Sequence, residues 1–85
     1  MNGEGKFLIM PHITLKMYQG RTEEQKKAVT EALAAALKET LGCSDEHVSV
    51  SIYDYDPKEW GEKVFYPEIM ASEDHLYKKP NYKPM

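Results

Sequence analysis

Met10-Pro11-His12-Ile13-Thr14 is the stretch on which the fold turns. From His12 onward the side chains alternate, with Ile13, Leu15 and Met17 on one face and His12, Thr14 and Lys16 on the other. A period of two is the signature of a half-buried strand. Ahead of that strand stands Pro11, whose nitrogen has two possible chemistries. Inside a chain it is a tertiary amide with no N–H and no proton affinity near neutral pH. At the front of a chain it is a free secondary amine, and therefore a base.

Upstream, residues 1–10 begin with the turn-formers Asn2, Gly3 and Gly5 and end in the apolar run Phe7-Leu8-Ile9-Met10. The run either extends the strand or closes an appendage. In the second reading Met10 is the initiator, because the codons for Asn2-Gly3-Glu4-Gly5-Lys6 are purine-rich, as a ribosome-binding site is. The expected division is an N-terminal extension or mis-assigned start over 1–10, a folded domain over 11–78 and a tail over 79–85.

Downstream, Tyr18-Gln19-Gly20-Arg21 leads out of the strand, and Thr22-Glu23-Glu24-Gln25 has the form of a capping box. The helix opened there carries Val29, Ala32, Leu33, Ala36, Leu37 and Leu41 at three-four spacing, and Gly42 supplies the left-handed residue that ends it. A second alternating run places Val48, Val50 and Ile52 on one face and Ser49, Ser51 and Tyr53 on the other. Strand, helix, strand is a β-α-β unit with parallel strands and a right-handed crossover. Asp56-Pro57-Lys58-Glu59 reads as a cap and first turn ahead of Trp60. Pro67 is expected to open a further helix to about Tyr77, with Ile69, Met70 and Leu76 inward, before a proline-broken tail.

Composition narrows the class. Eighty-five residues, 41% apolar, with a formal net charge of −3, make one small domain. Lysines interleaved with glutamates disfavour nucleic acid as a partner. No apolar run approaches the roughly 20 residues that span a bilayer, and Phe7-Leu8-Ile9-Met10 is too short for a signal-peptide core, so a cytoplasmic location is expected. The single Cys43 has no disulfide partner within the chain and reads as a small buried thiol after the helix. His12, His47 and His75 lack ligand spacing, so no metal site is expected. Asp54, Asp56, Glu59 and Glu62 read as caps and a solvated end, and Lys78, Lys79 and Lys83 as a solvated tail. A two-stranded sheet with one helix leaves edges and a face uncovered and is marginal in water. A second copy joining its sheet across a two-fold axis is the simplest cover.

Pro11-His12-Ile13 at the head, the run Tyr18 to Lys26, Val48-Ser49-Val50 and the aromatic Trp60 together resemble the 4-oxalocrotonate tautomerase family. The resemblance covers residues 11 to about 61, and the Lys78-Lys79-Pro80-Asn81-Tyr82 tail looks like the family's small probable-tautomerase subgroup. It implies an α/β fold of β-α-β protomers with a short C-terminal helical extension, assembled as homodimers or hexamers. It also implies an isomerase, of the class of intramolecular oxidoreductases interconverting keto and enol groups, that needs no cofactor or metal. Carried onto this sequence, Pro11 is the general base and then acid, Arg21 holds a substrate carboxylate, and Trp60 lines and dries the pocket. Ser49 stands where the founding member of the family has a second arginine, which favours a small monocarboxylic keto or enol acid over a dicarboxylate. His12 and Tyr53 are candidates for polar contacts in its place. The alternative is a non-catalytic oligomeric or small-acid-binding member, its proline blocked by residues 1–10.

Overall fold

The computed structural model describes residues 8–84. By their contacts these form two compact units, one made of the segment ending at Leu15 with Arg21–Tyr53, the other of Lys16–Gly20 with the chain from Asp54 onward.

Two strands, β1 (His12–Tyr18) and β2 (Ser49–Tyr55), run side by side as a two-stranded sheet, joined by the helix α1 (Glu23–Leu41). The Ser49 N–H donates to the Pro11 carbonyl at 3.2 Å, and the Gln19 N–H donates to the Tyr55 carbonyl at 2.8 Å. Residue numbers rise together along both strands between those two bonds, so the pairing is parallel, as a helical crossover requires. β1 starts at His12; Leu8, Ile9 and Met10 do not extend it and are exposed, and Met10 holds a left-handed φ of 56°. The remainder of the proposed 1–10 extension, residues 1–7, lies outside the described residues, as does Met85.

In the first unit α1 is capped as its sequence dictates. The Gln25 N–H donates to the Thr22 hydroxyl and the Thr22 N–H to the Gln25 side-chain oxygen, both at 3.0 Å, which closes the capping box. Glu23 and Glu24 sit at the positive end of the helix and Lys38 at the negative end. At Gly42 a φ of 77° turns the chain out, its N–H donating to the Lys38 carbonyl at 3.0 Å. Cys43 follows, buried, as a free thiol. The apolar stripe is thinner than expected. Val29, Leu33 and Leu37 are half-buried, Ala32, Ala36 and Leu41 are exposed, and no residue of α1 is buried. A groove of about 340 Å³ stays open between α1 and β2, lined by Thr30, Glu31, Ala34, Lys38, Asp45, Val48 and Val50.

The second unit holds the core: Trp60, Val64 and Phe65, with Tyr55, Ile69 and Met70 packed around them. The Asp56 carboxylate accepts the Lys58 N–H at 2.9 Å and opens the turn Pro57–Glu59 that delivers Trp60. The helix that follows corrects the expectation at Pro67. It begins at Gly61, encloses Pro67 and is wound with i→i+5 bonding to Ile69 before tightening into a 3₁₀ stretch over Met70–His75. Proline has no N–H to donate, and in an α-helix its ring would press on the carbonyl four residues back. Wider winding relieves that clash. Val64 and Phe65, one turn ahead of the positions expected to face inward, are the residues it buries. No helix among the described residues is long and apolar enough to cross a membrane.

Candidate active site

Pro11 is half-buried at the head of β1, fixed by the bond from the Ser49 N–H. That register sets the side chains of His12 and Ser49 on one face of the sheet. His12 Nδ1 lies 2.7 Å from the Ser49 hydroxyl, and His12 Nε2 lies 3.3 Å from the Thr14 hydroxyl. Thr14 was not among the expected site residues, although strand alternation alone puts it on the same face as His12. The opposite face of β2, carrying Val50 and Ile52 and continued by Val48 just ahead of the strand, is the one that borders α1. His12, Thr14 and Ser49 are exposed.

Arg21 is exposed, and among the described residues it makes no ion pair. It stands between Gly20, whose φ of 116° is one that side-chain-bearing residues rarely adopt, and the helix cap Thr22. The turn thus delivers a free guanidinium beside the positive end of α1, where two sources of positive potential add. A planar guanidinium in that setting reads a carboxylate with two parallel hydrogen bonds.

Trp60 belongs to the second unit, where it is 7% exposed. The rings of Tyr18 and Tyr55 meet it edge-on at 5.4 and 5.9 Å between centroids, and its indole N–H donates to the Tyr82 hydroxyl at 2.8 Å. Trp60 is thus packed as a core residue, with a hydrogen-bond partner from the tail that the sequence did not point to. Tyr53, the other polar candidate, is 51% exposed on β2. No group of three His, Cys, Asp or Glu side chains among the described residues could hold a metal ion. The structure thus joins Pro11, His12 and Ser49 by hydrogen bonds within one unit, leaves Arg21 unbonded in that unit and packs Trp60 in the other.

This parallel β-α-β frame has counterparts among known proteins. The family model described as "Tautomerase enzyme" matches residues 11–67, starting at Pro11 itself. The chain belongs to the tautomerase family. Among curated relatives it is 42% identical over 74 residues to the tautomerase PptA of Pectobacterium carotovorum, covering 86% of this chain and 97% of that one. It is 49% identical over 43 residues to the 2-hydroxymuconate tautomerase of Bacillus subtilis, covering 51% of this chain and 69% of that one. Among solved structures, a 4-oxalocrotonate tautomerase isozyme from Methylibium petroleiphilum is 41% identical with a TM-score of 0.58, covering 60% of this chain and 82% of that one. The tautomerase family and the β-α-β fold are those expected from the sequence.

Proposed function

We propose that the chain, when Pro11 is its first residue, is an isomerase that interconverts the keto and enol forms of a small α-keto or enol carboxylic acid. The observation that carries this reading is the bond from the Ser49 N–H to the Pro11 carbonyl, which fixes the proline's position at the head of β1. A free α-amine ordinarily titrates near roughly 7.7 to 8.0. Removal from water disfavours its protonated form, and so does the Arg21 guanidinium that this reading brings to the same pocket, pushing it down toward the pH at which a base works best. The amine takes a proton from the bound acid and returns it to another position. Nothing is consumed, and the amine ends as it began. Arg21 holds the substrate carboxylate and stabilises negative charge that develops on the enolate. Trp60 has the role of keeping the pocket dry, and His12 and Ser49 provide uncharged contacts. The catalytic domain in this reading is 11–78.

A homodimer is the assembly that this frame needs, with a hexamer built from three such dimers as its extension. The half-covered stripe of α1 and the open groove against β2 support it, since a lone two-stranded sheet leaves both exposed.

One observation favours a second reading, in which the protein only binds small acids. In the chain described here Met10 precedes Pro11, and a peptide-bound proline nitrogen is not a base. Intact mass of the cellular protein and an absorbance assay with phenylenolpyruvate separate the two. The enzyme reading expects a species beginning at Pro11, ketonisation by the Pro11-initiated form, and none by the full chain or a Pro11→Ala form. A Pro11-initiated form no faster than Pro11→Ala overturns proline catalysis for that substrate.

A further inference from the structure

His12 is the residue of this group whose hydrogen bonds can reverse direction. Its two ring nitrogens meet two hydroxyls, Ser49 at 2.7 Å and Thr14 at 3.3 Å. A neutral imidazole carries one N–H and one lone pair, so one hydroxyl must donate to the ring while the other accepts. An imidazolium carries two N–H groups and no lone pair. Both hydroxyls then accept, and both of their hydrogens turn outward. Protonation therefore adds a positive charge and releases a hydroxyl hydrogen at the same place.

The surroundings suit such a change. All three side chains are exposed, and the Ser49 backbone is bonded to Pro11. The elements flanking the ring are β1 and β2. By alternation, the charged and titratable residues on that face are Lys16 and Tyr18 on β1, and Tyr53 and Tyr55 on β2. None is a carboxylate, and Lys16 is itself paired with Glu68.

We infer that His12, Ser49 and Thr14 form a proton-switched anion subsite beside Pro11, neutral and suited to monocarboxylates when His12 is unprotonated, and able to receive the second carboxylate of a diacid when it is protonated. This rests on acids binding beside Pro11, as proposed above, but not on any proton transfer to or from the proline.

Two inert six-carbon acids, hexanoate and adipate, test it on the full chain. Their affinities are measured by NMR titration across the pH range in which the His12 imidazole C–H resonances themselves report protonation. The preference for adipate over hexanoate is expected to rise about five-fold as His12 gains its proton, since charge-assisted hydrogen bonds are about twice as strong as neutral ones. Adipate, and not hexanoate, should raise the midpoint of the His12 titration. In His12→Gln and His12→Asn the preference should be flat with pH. A constant preference in the unaltered chain, an equal rise in both variants, or His12 resonances that neither acid moves would each overturn the subsite. Failure of the phenylenolpyruvate assay would instead remove proline catalysis alone, because neither test acid reacts.

Discussion

The indole N–H of Trp60 donates to the phenol oxygen of Tyr82 across 22 residues of chain and a gap of 2.8 Å. Since the indole is buried, its N–H has little access to water in place of that oxygen, and the bond ties the half-exposed Tyr82 of the tail to the second unit's core. Tyr82 also lies 5.3 Å from Phe65, ring to ring. Tyr82→Phe keeps that ring contact and removes the acceptor. A buried donor left unpaired costs about 1–3 kcal/mol. In a chain of this size each kcal/mol is worth about 4–8 °C of Tm, so a calorimetric melt should fall by at least a few degrees. An unchanged Tm would show that the bond contributes nothing.

Lys16 and Glu68 form an ion pair in the same unit, and the hydrogen bond to Glu68 is the main cause that raises the Lys16 ammonium above its ordinary value of 10.5. A raised value means that the folded chain holds this proton more tightly than the unfolded one. The pair's stabilisation is therefore fully present below about pH 10.5 and is lost as pH climbs through the folded value. Denaturant titrations between pH 9 and 12 should show a steeper alkaline decline for the unaltered chain than for Lys16→Met. Parallel declines would contradict the pairing.

Gly42→Ala forces a side chain into the left-handed region, where φ is 77°. The expected cost is about 1 kcal/mol, with α1 retained but less stable. Helical ellipticity followed through a urea titration checks it, and a midpoint equal to that of the parent would remove the strain argument. Thr22→Ala at the opposite end should cost a similar amount, about 1 kcal/mol, through loss of the capping box.

If a second copy covers the α1 stripe, apparent stability must depend on protein concentration, because association stabilises the folded form by mass action. Tm should rise over a hundred-fold concentration series, and Leu37→Glu should both flatten that dependence and shift the sedimenting species to monomer. A Tm independent of concentration, with a monomer throughout, would refute the dimer.

The β-α-β frame was legible because each part of it rests on local chemistry. Alternation marks β1 and β2, and Thr22 with Gln25 and the lone Gly42 mark both ends of α1. Alternation also put His12 and Ser49 each on the polar face of its own strand, whereas their pairing depends on the register set by the bond from the Ser49 N–H to the Pro11 carbonyl. What stayed hidden depends on neighbours far along the chain. Nothing local announces that Tyr82 satisfies Trp60. At Pro67 the usual reading, that proline opens a helix, gave way because the preceding turns already bury Val64 and Phe65 and could widen to accommodate the ring. The exposure of Ala32, Ala36 and Leu41 has the same origin, since three-four spacing shows which side of a helix is apolar but not how much of that side one protomer covers.

The ladder from Pro11–Ser49 to Gln19–Tyr55 also limits how such a chain can change its length. One residue inserted at the head of β1 would turn its side chains over and exchange His12 with Ile13 across the sheet, and one inserted at the head of β2 would do the same to Ser49 and Val50. Two residues would restore the faces but slide His12 past Ser49 to a new neighbour. Length variation compatible with the chemistry is thereby confined to the connections, such as the stretch between Gly42 and Ser49, while the strands behave as a fixed reading frame for the groups around the proline.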